Sequence, residues 1–177
     1  MIILGIDPGS GSSSPLGLAL YDNFSEEVIW TKALWPSVNK PAIHRIKCLA
    51  EQVNDIVLDL VQQYGEDSLQ VHSEWFVMRG KGGETLQRAI GAILCTIPFK
   101  IEIIEVHNIV LKKSITGNSK ANKEEMGQGL LKLIPNSAES IRILIQEGLW
   151  DEIDAIGIAY CEEGRKPQTR KYGRKFT

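Results

Sequence analysis

The chain opens Ile2-Ile3-Leu4-Gly5-Ile6-Asp7-Pro8-Gly9-Ser10, and the reading of this stretch decides the fold. A run of aliphatic, mostly β-branched residues without alternation is the pattern of a strand buried on both faces. Pro8-Gly9 stops it at once. Asp7 is therefore set at the carboxyl edge of a central strand, the edge where open α/β sheets gather ligands and chemistry. An Asp before Pro-Gly also starts turns, so its position alone admits a functional and a purely local reading.

Working outward, a Gly/Ser-rich loop is followed by two further strands, 16–21 and 28–34, with Asp22-Asn23-Phe24-Ser25 as the turn between them. Short connections make these three strands an antiparallel meander. Pro36 and Pro41 break the pattern. Between 41 and 64 the apolar residues Ile46, Leu49, Val53, Ile56, Leu60 and Tyr64 recur every three or four positions, which predicts a long amphipathic helix ending at Gly65. A fourth strand, 69–73, runs into Glu74. A Gly-rich loop then leads to a helix over 84–96, and 101–106 is a fifth strand. The basic segment 109–123 contains an exposed loop at Gly117-Asn118-Ser119, and helices follow over 122–133 and 150–162. The expected class is α/β: a five-stranded mixed sheet, three strands in a meander plus two parallel ones, flanked by helices. One domain over 1–164 and a basic, disordered tail over 165–177 complete the expectation.

Hydrophobic content of 43% and charged content of 24% are those of a water-soluble globular chain, and no apolar run approaches the roughly 20 residues of a membrane span. The amino terminus has no basic leader before its apolar run. Cys48, Cys95 and Cys161 are odd in number, far apart and in apolar helical contexts. They read as reduced core thiols of a cytoplasmic protein. The three histidines, His44, His72 and His107, are equally scattered and read as structural or surface residues. Net charge is −2 with a pI near 6.0, but the charge is unevenly placed. The last 13 residues hold six Lys or Arg and no acid. Between 79 and 123, eight basic residues (Arg79, Lys81, Arg88, Lys100, Lys112, Lys113, Lys120, Lys123) stand against three acidic ones. Basic loops beside an acidic cluster suit a metal-dependent nuclease, although a solvated face gives similar runs.

The acidic cluster is assembled by topology. A parallel strand reached from the meander through a crossover helix belongs beside the first strand, which brings Glu74 to the same edge as Asp7. Asp151 and Asp154 are three apart near the start of the last helix and project from one face. Glu74 read alone is a surface acid and Asp151 a helix cap. Together the four acids form the oxygen-rich donor set that two Mg²⁺ or Mn²⁺ ions require. Two such ions about 4 Å apart would serve phosphodiester hydrolysis.

These residues carry a resemblance. Gly5-Ile6-Asp7-Pro8-Gly9-Ser10, Glu74 at a strand end followed by aromatics, Lys112-Lys113-Ser114-Ile115-Thr116-Gly117 with Ala121-Asn122-Lys123, and Asp151-Glu152-Ile153-Asp154-Ala155 resemble, in order, the motifs of the RuvC family of Holliday junction resolvases. The resemblance spans nearly everything up to Cys161, and it implies an RNase H-like fold. It implies a homodimeric, Mg²⁺-dependent endonuclease that cuts two opposed strands of a four-way DNA junction and leaves 5′-phosphates. Asp7, Glu74, Asp151 and Asp154 would be catalytic metal ligands. Lys112 and Lys123 would hold phosphates near the cut, with Lys113, Lys120, Arg79 and Lys81 as further DNA contacts. Trp75 and Phe76 are candidates for stacking on bases at the branch, or else core residues. The chain differs from the family in a longer, Ser-rich loop over 11–15 and in aromatics placed one position early. Three alternatives stand beside this reading: an RNase H-like nuclease acting on RNA or other branches, an actin-like ATP-binding module, and a non-catalytic junction-binding protein. The last gains nothing from burying like charges.

Overall fold

The computed structural model describes residues 1–8, 15–36, 39–75 and 83–161. Its elements are β1 (Ile2–Asp7), β2 (Leu16–Asp22), β3 (Glu27–Leu34), α1 (Ala42–Tyr64), β4 (Leu69–Trp75), α2 (Gly83–Leu94), β5 (Glu102–His107), α3 (Asn108–Thr116), α4 (Lys123–Leu133), α5 (Ala138–Glu147) and α6 (Trp150–Tyr160). The sheet order is β3-β2-β1-β4-β5. β1 pairs antiparallel with β2 and parallel with β4, and β4 pairs parallel with β5. The meander plus two parallel strands is thus the expected mixed sheet, of RNase H-like architecture.

Alternation along the strands divides the interior into two cores. Ile2, Leu4 and Ile6 of β1 join Leu16, Leu18 and Leu20 of β2 and pack on Leu49, Val53, Val57 and Leu60 of α1. Ile3 of β1, Ala19 and Tyr21 of β2 and Ile104 and Val106 of β5 face the other way, onto α3 to α6. Each such aliphatic side chain contributes roughly 1.5–3 kcal/mol on burial, so a one-residue slip of β1 would invert both cores. Its register, and with it the position of Asp7, is firmly held.

Two helices differ from the sequence expectation. The first part of the basic segment 109–123, to which the sequence reading assigns no element, is α3, because Leu111 and Ile115, four apart, are buried in the core while the lysines between them turn outward. α5, to which the sequence reading likewise assigns no element, carries Ile141 and Leu144 inward and ends at the C-cap Gly148. Ser137 at its start makes no cap, and its hydroxyl instead accepts from the Val28 N–H at 2.7 Å. Leu86, Ala89 and Ile93 of α2 are buried within the chain. Of the three free thiols only Cys161 is a core residue; Cys48 is half-buried and Cys95 exposed. Among the described residues, no helix is long and apolar enough to cross a membrane.

Candidate active site at the carboxyl edge of the sheet

Asp7 ends β1 and is 7% exposed. Across β2 it faces Gly17. On the other side the parallel register runs to Ile6 beside Ser73, so the next step sets Asp7 beside Glu74 at the end of β4. Both belong to the face shared with Ile3 and covered by α6, since Leu69 and Val71 of β4 belong to the opposite core. Two acids thus share one edge and one face.

α6 supplies the other two. It crosses β1 and β2 closely because two strand positions lack a side chain. A Cβ at Gly5 would overlap the Ala155 carbonyl, and one at Gly17 would overlap the Asp151 carbonyl. Since Gly17 lies opposite Asp7, the first turn of α6 is seated over the acidic edge. Ile153, Ala155 and Ile156 are buried, which leaves Asp151 and Asp154 at the half-exposed margin of the helix. His72 of β4 fastens the far end, with Nδ1 3.0 Å from the Ile158 carbonyl.

Cations approach from α3 and α4. Lys123 Nζ lies 3.8 Å from Asp151 Oδ1 and 3.6 Å from Asp154 Oδ2. A capping box fixes Lys123 in the first turn of α4: the Asn122 side chain accepts from the Glu125 N–H at 2.8 Å, and Glu125 accepts from the Asn122 N–H at 2.7 Å. Lys112 is half-buried and acts electrostatically on both Glu74 and Asp154. Lys113 and Lys120 are exposed on the same helical hairpin. Trp75 lies on the face opposite Glu74, its ring centroid 5.5 Å from that of His107. Phe76, Arg79, Lys81 and the tail lie outside the described residues.

Burial raises the Glu74 pKa above the ordinary carboxylate value; a hydrogen bond from Asn108 pulls it back, and repulsion from Asp154 adds to the rise. Burial likewise raises Asp154, against the opposing pull of Lys123. A folded-state pKa above the unfolded value means that the native protein gains stability as pH falls through it and carries a cost at neutral pH. In EDTA, Glu74→Gln should therefore raise the melting temperature at neutral pH, and the gain should vanish as pH falls below the ordinary carboxylate range. An unchanged or lower melting temperature at neutral pH would contradict this reading of the site's electrostatics.

Among the described residues, no three His, Cys, Asp or Glu side chains converge closely enough to hold a metal ion. The donor chemistry nevertheless fits: the candidate ligands offer only carboxylate oxygens, which suit Mg²⁺ or Mn²⁺. Two of these acids are held above their ordinary pKa by burial, a cost that a bound divalent cation would offset. One residue escaped the sequence reading. Asn108 Nδ2 donates to Glu74 Oε1 at 2.7 Å. The available signal was its place four residues before Lys112, on the same helical face.

Known proteins resemble this chain over most of its length. Residues 3–161 match the family model described as crossover junction endodeoxyribonuclease RuvC. The protein of that name from Bacteroides fragilis is 27% identical over 161 residues, covering 90% of this chain and 80% of its own. A Thermus thermophilus RuvC structure superimposes with a TM-score of 0.62 at 20% identity, covering 93% of this chain and 94% of that one. T. thermophilus RuvC in complex with Holliday junction substrate gives a TM-score of 0.61 at 19% identity and 93% coverage of each. With a family match running from the first strand to the end of the last helix, the chain belongs to the RuvC family of crossover junction endodeoxyribonucleases.

Proposed function

We propose that the protein resolves four-way DNA junctions, as a homodimer, by metal-assisted hydrolysis of two opposed phosphodiesters that leaves 5′-phosphate ends. The observation that carries this reading is the placement of Asp7 and Glu74 at the ends of adjacent parallel strands, beneath the helix start bearing Asp151 and Asp154, with Lys123 at its rim. Those four acids would hold two Mg²⁺ ions, for which Mn²⁺ substitutes. Bound there, the metal would supply Lewis acidity toward water and charge for the departing oxygen.

The chain's own groups do the positioning. Lys123, set by its capping box, and Lys112, one helix away, are placed to bind the phosphates flanking the cut. Lys113 and Lys120 would extend that track, with Arg79 and Lys81 as further proposed DNA contacts. These contacts fix the register of the strand without reading its sequence. The aromatics Trp75 and Phe76, at the end of β4, are the candidates for stacking on a base freed at the branch. A two-fold dimer would present two such sites to two symmetric strands.

The test is to cut a synthetic four-way junction and add DNA ligase directly. Paired nicks with 5′-phosphates seal without further treatment, and the protein sediments as a dimer. Ends that first need a kinase, or a strictly monomeric mass with and without junction, would overturn the proposal.

The nuclease domain is proposed to span 1–164, leaving the tail 165–177 to add affinity without specificity. Its six cations would each contribute about 0.9 to the salt-dependence slope per phosphate neutralised. Truncation after Gly164 should flatten that slope for junction and duplex alike. An unchanged slope leaves the tail without a DNA role, and selective loss of junction binding makes it a recognition element instead.

A further inference from the structure

Asn is among the residues that most favour helix starts, where its side chain normally accepts from the helix's own orphan N–H groups. At the start of α3 that role is not filled. The cap position is His107, which makes no side-chain cap, and Asn108 stands one residue inside the helix. Its amide reaches across the strand end instead and donates through Nδ2 to Glu74 Oε1 at 2.7 Å. Sequence rules broken locally without a packing gain concentrate at functional sites, and Asn108 is exposed, so packing does not explain it.

The placement has a direction. β4 and β5 run in parallel to the same edge, with Trp75 beside His107 as their last pair. Asn108 therefore follows the strand next to Glu74, and four residues on, on the same face of α3, is Lys112. One short helix thus presents a neutral donor to the carboxylate and a cation to the neighbouring cleft. Glu74 is the last but one residue of its strand and has a flexible side chain. A directional hydrogen bond to one oxygen restricts the rotamer and leaves the other oxygen to accept elsewhere, at the edge Glu74 shares with Asp7.

We infer that Asn108 is a positioning residue for the metal site, holding the Glu74 carboxylate in the orientation in which its second oxygen can take a divalent cation. The inference rests on the reading of Glu74 as a ligand. Partners that orient a ligand in this way typically set metal affinity by about 10–100-fold. Asn108 touches neither the cation nor the DNA in this account, so its loss should move metal affinity and leave junction affinity alone.

The experiment compares wild type, Asn108→Leu, Asn108→Gln and Glu74→Gln. Mn²⁺ binding to the DNA-free protein is measured by calorimetry, the Mg²⁺ midpoint of junction cleavage by titration, and junction affinity in EDTA. Leu is close to isosteric with Asn and removes the donor, and Gln keeps a donor on a longer arm. Asn108→Leu should weaken Mn²⁺ binding and raise the Mg²⁺ midpoint by tenfold or more, with Asn108→Gln recovering part of both. Junction affinity in EDTA should stay at the wild-type value, while the melting temperature at neutral pH falls slightly because Glu74 loses the donor that favours its charged form. If Glu74→Gln loses Mn²⁺ while Asn108→Leu binds it as wild type does, the inference is wrong and the site stands. If Glu74→Gln itself binds Mn²⁺ normally, the ligand assignment fails and the inference falls with it.

Discussion

Asp7→Asn, Glu74→Gln and Asp154→Asn should each reduce junction cleavage in Mg²⁺ by on the order of 10²–10³ or more, the scale on which single electrostatic contributors to a transition state act. Junction affinity should hardly change. The three side chains lie on one edge, two at the ends of adjacent parallel strands and one in the first turns of the helix seated over them. In the proposed function, affinity comes from phosphate contacts made by the lysines around that edge. Each substitution keeps the shape and a hydrogen-bond acceptor, so Asn108 retains its partner in Glu74→Gln. Single-turnover cleavage beside a binding titration separates the two effects. A variant that cuts at nearly the wild-type rate does not lack a ligand.

A second large effect is expected at a position that carries no side chain. Gly17→Ala places a methyl group against the Asp151 carbonyl and 3.2 Å from the Glu152 nitrogen, where only backbone is available to move. Overpacking of this kind costs about 1–3 kcal/mol. For a chain of this size that is a fall of roughly 2–4 °C in melting temperature per kcal/mol. Relief requires α6 to lift, which carries Asp151 and Asp154 away from Asp7. A displacement of about 1 Å at a catalytic constellation can cost about 10²-fold in rate. Gly17→Ala should therefore lose activity well beyond its loss of stability. Wild-type melting and cleavage together would mean that α6 is not seated where the glycine places it.

The edge itself was legible because β1 is unambiguous. An apolar run cut short by Pro-Gly allows one position for Asp7, and the crossover through α1 allows one neighbour for β4. Asp151 and Asp154 were legible as a pair for a similar reason, since three-residue spacing on a helix fixes a shared face. What escaped was whatever depends on close approach or on a single long-range bond. Gly17 reads as an ordinary strand glycine until a helix backbone lies on it. Asn108 reads as a helix start until its amide is seen on Glu74. α3 was hidden because its two lysines, Lys112 and Lys113, stand between its two inward residues, Leu111 and Ile115, and charge was the louder signal. The two faces at the end of β4 were equally unreadable in function: Trp75 follows Glu74 directly, so the alternation that directs the acid toward α6 sends the tryptophan away from it.

The most direct test of the central claim is incubation of the purified protein with end-labelled four-way, three-way, flap and duplex DNA and with an RNA hybrid, each in Mg²⁺ and in EDTA. The account predicts paired, symmetric incisions in the four-way junction with Mg²⁺, none in EDTA, and little cutting of linear duplex. Cleavage that persists in EDTA, or that favours flaps or RNA over four-way junctions, would contradict it.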